Sequence, residues 1–451
     1  MSRDLDSNPV PITDRQQLLD YFRQGEKPLD ARGIGTEHEK FVVRRDEGRM
    51  LSFDEPGGFA DLFQALIDQF GWEAAPLDDG NIIAVTRNGS AITLEPGGQF
   101  ELSGAITSTV FETAREFDDH LRELHEVADE DLRFVIWGLN PSISLDEVPW
   151  MPKTRYRIMR EYMPTRGKLA HWMMKATCTI QANLDYTSEE DAIDLIHTAV
   201  LASPVVGALF ANSPIQERKE TGYQSRRNFI WAKHTDPDRS GVPSFMYRTD
   251  WDYETYLKYV LDVPMFFIRR DDGVVNMAGH SFREFMAKGY QGHRARMGDF
   301  ELHLSTAFPD VRMKQFVEVR SADGGPRQAV MALPALWKGL LYDDQARQAV
   351  KDLFHPLDEE AHRELIEICY RDGIHGPSAY GDVADLAATI VEASRQGLDR
   401  LAESAGHDSE AIFLEPLEDR LSRRRSWADD LLEDFREVDG DLGELAERWT
   451  L

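Results

Sequence analysis

Glutamates recur two residues apart in runs that otherwise read as β-strand. In Gly35-Thr36-Glu37-His38-Glu39-Lys40-Phe41-Val42-Val43 the aromatic and β-branched residues predict a strand. Side chains at i and i+2 share a face, so Glu37 and Glu39 point one way and His38 the other. The run Leu94-Glu95-Pro96-Gly97-Gly98-Gln99-Phe100-Glu101 sets Glu95, Gln99 and Glu101 on one parity, with a Pro-Gly-Gly step that kinks or bulges the chain between them. Gln181 and Asn183 pair in the same way within residues 177–184, and Glu318 and Arg320 within residues 316–320. Joined in one antiparallel sheet, these segments give an apolar face and a face of oxygen donors with one arginine. Like charges so close repel, and a divalent cation relieves them. Hard cations such as Mg²⁺ take oxygen ligands and bridge substrate phosphates. The pattern points to a Mg-nucleotide site on a sheet. A solvated sheet face with alternating charges explains any single strand more simply, and patterning alone leaves the two readings open.

The elements that must position these residues follow from periodicity. A short helix is expected over residues 16–22. Phe59, Leu62, Phe63, Leu66, Ile67 and Phe70 recur at helical spacing before Gly71. Residues 81–87 and 90–94 form a hairpin about Asn88-Gly89. A long amphipathic helix covers 111–131, its His120 and His125 read as packing or surface residues, and 132–138 reads as a buried strand. Residues 149–167 interleave Arg, Tyr and Met, either an anion-binding wall with an adaptable lining or a helix with snorkelling arginines. Ser188 caps a helix running toward Ser203-Pro204, and Ser281 caps another through Lys288. Beyond Pro334 the pattern is almost wholly helical, over 336–354, 359–370, 383–401 and 427–449. Strands before residue 320 and helices after it predict an α+β fold. We expect an N-terminal extension over 1–30, a catalytic sheet region over 31–333 and a helical C-terminal region over 334–451 packed on it.

The chain has 451 residues and a formal net charge of −29. Such an acidic surface argues against nucleic-acid or anionic-membrane partners, which need basic faces. Two cysteines, Cys178 and Cys369, make neither a disulfide framework nor a zinc spacing. No signal or transit pattern is expected at the N-terminus and no apolar run approaches the roughly 18 residues of a spanning helix, so a cytoplasmic location is expected. Phosphate-loop and dinucleotide fingerprints are missing.

Several motifs carry a resemblance. Gly35 to Phe41, Leu94 to Ala105, Thr177 to Asp185, Leu209-Phe210-Ala211-Asn212-Ser213-Pro214, Leu261-Asp262-Val263-Pro264-Met265 and Glu318-Val319-Arg320-Ser321-Ala322-Asp323-Gly324-Gly325-Pro326 resemble, in order, those of the plant-type glutamate-cysteine ligases, found also in bacteria. The resemblance implies a glutamine synthetase-like antiparallel catalytic sheet with surrounding helices. It implies ligation of glutamate to cysteine with ATP through a γ-glutamyl phosphate, the first step of glutathione synthesis, with roughly two or three Mg²⁺ ions. By position it assigns Glu37, Glu39, Glu95, Glu101 and Glu318 to the metals, with Gln181 as a weaker ligand. Arg320 would stabilise the transferred phosphoryl group. Arg227 would hold the glutamate α-carboxylate, Arg155 and Arg239 a carboxylate or phosphates, and Tyr162, Met163 and Trp231 would line the pocket.

Two departures stand out. Plant members carry an Arg where this chain has Ala176, preceded by Lys175 on the other parity, and the stretch matching their regulatory cysteines, Val275-Asn276-Met277-Ala278-Gly279-His280, has none. Rival readings are a sister ligase with another amine acceptor, a non-catalytic nucleotide-binding regulator, and a metal-dependent hydrolase, which would favour a histidine ligand. Oligomeric state is not legible in the sequence.

Overall fold

The computed structural model describes residues 8–45, 48–141, 144–270 and 273–451, so the first residues of the expected N-terminal extension lie outside it. Nine strands form one sheet: Ile34–Arg44 (β1), Glu73–Ala74 (β2), Ala84–Arg87 (β3), Ser90–Leu94 (β4), Phe100–Ser103 (β5), Leu132–Val135 (β6), Thr179–Leu184 (β7), Val311–Met313 (β8) and Val317–Asp323 (β9). Their order is β8-β9-β7-β1-β5-β4-β3-β2, each neighbouring pair antiparallel, and β6 pairs with the outer half of β1. All four glutamate- and amide-bearing segments thus meet in one sheet. The Asn88-Gly89 turn takes the left-handed backbone at both positions, φ 51° and 88°, which lets a two-residue hairpin follow the strand twist between β3 and β4.

The helices used below are Val110–Val127 (α1), Thr154–Tyr162 (α2), Ala170–Ala176 (α3), Glu189–Leu209 (α4), Arg226–His234 (α5), Arg327–Tyr342 (α6), Glu359–Asp372 (α7) and Val383–Ala405 (α8). Thr109 and Glu112 close a capping box on α1. Its Val110, Ala114, Phe117 and Leu124 are buried, and α1, α4 and α6 pack against strands of the sheet, with α8 beyond α6. The charged parity of β1 faces the other way, toward α2, α3 and α5.

Three boundaries differ from expectation, each through tertiary packing. Helix α4 continues through Pro204 to Leu209. A proline inside a helix costs about 3 kcal/mol, while burying each following Val or Leu returns about 1.5–3 kcal/mol, and Val205, Val206, Ala208 and Leu209 are all buried. By length and composition α4 could cross a membrane, but 89% of its apolar window is buried inside the protein, where it serves as a core helix. Helix α6 begins at Arg327, seven residues before the internal Pro334, within the same core. The expected 427–449 helix is two, Trp427–Glu437 and Leu442–Arg448, parted where Asp439 and Gly440 adopt φ 50° and 76°.

The C-terminal helices are tied to the start of α1 by a buried ion pair. Lys338 Nζ on α6 donates to Glu410 (2.5 Å) and to the Ser108 carbonyl (2.8 Å), and the other Glu410 oxygen accepts from the Val110 backbone N–H. Removing one partner strands the other charge in the interior. Glu410→Ala is expected to lower stability by about 3–5 kcal/mol, seen as a reduced midpoint in thermal and urea melts. Unchanged midpoints would show that this pair does not hold the two parts together.

Candidate active site

Glu37 and Glu39 leave β1 on the same face, toward a partly open cleft. Strand register sets their neighbours: Glu39 lies opposite Glu101 on β5 and Glu37 opposite Gln181 on β7. Opposed residues of an antiparallel pair stand about 5 Å apart, so Glu39 and Glu101 are held close by the backbone itself. Glu95 reaches the same cleft from a tight loop. Gly97 passes so near the Lys175 carbonyl that a Cβ would lie 2.0 Å from it. The Gln99 amide ties the loop down, accepting from Gly97 N–H and donating to the carbonyls of Met174 and Thr177.

These carboxylates are buried against one another. Burial first, then Glu101 and Glu95, pushes Glu39 well above the ordinary carboxylate range. Burial, then Glu37 and Glu95, pushes Glu101 up to about 7. Hydrogen bonds offset this only in part: Glu37 accepts from Asn183 Nδ2 (2.9 Å), Glu39 from the Thr179 N–H (3.0 Å) and Glu101 from Ser103 Oγ (2.6 Å). The donor set is all oxygen, buried and mutually repelling, which suits a hard divalent cation. Among the described residues no three such groups converge closely enough to enclose an ion alone, so substrate oxygens must complete any coordination shell.

Glu318 departs from this arrangement. It lies opposite Arg312 across the β8–β9 hairpin, and Arg312 grips both of its oxygens at 2.5 and 2.7 Å. Arg320 Nη1 adds a third bond at 2.7 Å, and Lys314 Nζ stands 3.6 Å away. Burial alone would raise Glu318, but Arg312, Lys314 and Arg320 outweigh it and hold it well below the usual range. Glu318 as found is the counter-ion of a cation cluster rather than an open metal ligand. Gln181 lines the cleft, and its oxygen accepts from Arg320 Nη1 at 2.7 Å. Those two bonds fix the Arg320 guanidinium at the cleft wall.

Of the other residues singled out from sequence, the structure brings Arg155, Arg227 and Trp231 to the cleft. Arg155 approaches Glu95 at 3.9 Å, and Arg227 donates to Asn228 Oδ1 and the Arg320 carbonyl. Three are corrected. Arg239 has no exposed surface and gives its donors to Asp236 (2.8 Å) and the carbonyls of Thr306 and Pro264 (2.8 and 2.7 Å), with Phe266 beneath it. It is a structural brace, wholly buried and outside the lining of the cleft. Met163 is wholly buried in the hydrophobic core, and Tyr162 packs edge-on against Phe266 outside the cleft. Lys175 also turns away, donating to the Leu145 carbonyl beside Trp150, so it does not stand in for the arginine that Ala176 replaces. His38 faces the opposite side, against Phe117.

Sequence reading missed Arg312, Lys314 and, beside Met159 of the Arg/Tyr/Met stretch, an apolar wall of Met173, Met174 and Phe267. A signal for Arg312 existed: Val311-Arg312-Met313 alternates, and a short connection to residue 317 sets Arg312 opposite Glu318. The methionines come from the irregular packing of α2 and α3 and have no such periodic signature.

The family model for glutamate-cysteine ligase family 2 (GCS2) matches residues 33–448. The chain belongs to this family. It is 40% identical over 394 residues to the chloroplastic glutamate–cysteine ligase A of Oryza sativa subsp. indica, covering 86% of this chain and 79% of that protein. It is 38% identical over 430 residues to the chloroplastic enzyme of Arabidopsis thaliana, covering 94% and 80%. Among solved structures, its fold is similar to a Francisella tularensis glutamate–cysteine ligase in complex with AMP. The TM-score is 0.57 at 12% identity, over 94% of this chain and 90% of that one. A bifunctional glutathione synthetase from Pasteurella multocida matches with TM-score 0.53 and 14% identity, over 96% of this chain and 52% of that one. The α+β fold is thus similar to that of these two solved structures.

The acidic wall stores repulsion, and its sign is testable. With its carboxyl raised from 4.5 to about 7, folded Glu101 holds a proton that the unfolded chain has lost. Stability without cations therefore falls as pH rises through that window. Glu101→Gln is expected to raise the thermal midpoint at pH 8 and to flatten the decline between pH 5 and 8, measured in chelator. An unchanged profile would show that Glu101 is not under repulsion.

Proposed function

We propose that this protein ligates the γ-carboxyl of L-glutamate to the amine of L-cysteine, converting ATP to ADP and phosphate. The observation that carries the reading is one cleft in which buried carboxylates face Arg227 and Arg320, in a chain of this family. Three anions, two phosphate groups and a γ-carboxylate, must meet there. The wall of Glu37, Glu39, Glu95 and Glu101 would hold Mg²⁺, which when bound supplies the positive charge that draws phosphates to an acidic surface.

The chain's own residues do the rest. The γ-carboxylate oxygen attacks the terminal phosphorus of ATP, the bond to the ADP oxygen breaks, and a γ-glutamyl phosphate forms. Arg320, already fixed by Gln181 and Glu318, needs no reorganisation to meet charge developing on the phosphoryl group. The neutral cysteine amine then attacks the acyl carbon, phosphate leaves, and the amine proton is released. Arg227 holds the glutamate head so that its γ-carboxyl points at Arg320. The thioether and Phe267 wall offers an adaptable apolar surface for a flat base.

ADP release by the purified protein with Mg²⁺, ATP and glutamate, with and without cysteine, tests this directly. Release that needs glutamate and rises with cysteine above other amines is expected. Preference for another amine would make it a sister ligase, and no release with any pair would favour a non-catalytic binder. Arg320→Ala is expected to lose about 10²–10³ in kcat with an unaltered circular dichroism spectrum. A loss confined to KM would remove Arg320 from the transition state.

A further inference from the structure

A second, narrower space adjoins the cleft and shares with it a wall of Arg227, Trp231, Phe308 and Arg320. Trp231 and Phe308 meet edge to face at 5.6 Å, and the Arg320 guanidinium lies 5.6 Å from the indole ring. These side chains are the partition between the two spaces. Among the described residues, buried polar atoms without a hydrogen-bond partner line this space: Ser203 Oγ, Ser321 Oγ and Tyr370 Oη on its own walls, and Arg227 Nε and Trp231 Nε1 in the partition. Buried polar atoms are almost always satisfied, so a cluster of exceptions around one space marks a place for a polar molecule. Asp310 lines the same space. Its carboxylate has no hydrogen-bond or ion-pair partner among the described residues, and burial raises it to about 6 against the pull of Arg227 and Arg320.

The charges select the occupant. A simple anion would suit the donors but be repelled by Asp310. A simple cation would suit Asp310 but be repelled by Arg227 and Arg320. A molecule with an ammonium and a carboxylate on neighbouring atoms satisfies both.

We propose that Asp310 determines specificity for an α-amino acid: this space takes the head of the donor substrate, its ammonium on Asp310 and its carboxylate on Arg227 Nε, Ser321 and Tyr370. The inference rests on the glutamate reading above and deepens it. With the head seated there, a two-methylene side chain extends past the Trp231–Phe308 partition toward Arg320 and the acidic wall. Entry requires those two rings to part, which puts an indole at the point of binding.

The test compares glutamate with glutarate, which lacks the α-amine, on the full chain with Mg²⁺, ATP and cysteine. Asp310→Asn is expected to raise the glutamate KM at least about tenfold, to leave the ATP KM within about twofold, and to shrink the preference over glutarate by the same factor. Ser321→Ala and Tyr370→Phe, which remove carboxylate donors but no charge, should raise the glutamate KM while leaving that preference unchanged. Glutamate should also alter the tryptophan fluorescence of the wild type and not that of Trp231→Phe. Active wild type with an unmoved glutamate KM and glutarate ratio in Asp310→Asn would overturn the proposal. If that variant does not fold, an unmoved KM in both hydroxyl variants would do so. Absence of any glutamate-dependent turnover in the wild type would instead remove the ligase reading, and the fluorescence titration with glutamate would then decide the pocket alone.

Discussion

The repulsion among buried carboxylates on one face of the sheet is the constraint from which the site follows. Backbone register places Glu39 opposite Glu101, and no side-chain rotation removes that proximity. A fold that buries such groups must supply compensating charge. It supplies some through hydrogen bonds from Asn183, Thr179 and Ser103. The remainder is uncompensated repulsion, which keeps Glu39 and Glu101 above the ordinary carboxylate range.

Along the same sheet the sign of the field reverses. At the β1–β5 side Glu39, Glu101 and Glu95 crowd one another, whereas at the β8–β9 side Arg312, Lys314 and Arg320 surround a single carboxylate. Glu318 holds those three cations together and so keeps Arg320 in place. A molecule laid across the cleft meets carboxylates at one end and a fixed guanidinium at the other. In a chain of net charge −29, this local cluster, and not the overall charge, governs anion binding.

The rigidity that such a site demands comes from beneath it. Glu37 and Glu39 of β1 line the cleft, and the even-numbered His38 and Lys40 are buried against Phe117 and His120 of α1. Helices α4 and α6 press on the neighbouring strands, each tolerating an internal proline because the surrounding core holds its shape. The Lys338–Glu410 pair then fastens the C-terminal helices to the start of α1.

Sequence alone determined the strand parity, and with it the common face of Glu37 and Glu39, because a two-residue alternation is a local backbone property. It also determined the Asn88-Gly89 hairpin and the α+β arrangement, whose signals lie within a few residues of each element. Tertiary structure decided the rest. Whether Glu318 faces a metal or an arginine depends on Arg312, brought opposite by a hairpin, and whether Arg239 reaches substrate depends on carbonyls 25 and 67 residues away that take its donors. The end of α4 depends on burial outweighing a proline. Parity says which way a side chain leaves its strand, but only packing from distant parts of the chain says what it meets there.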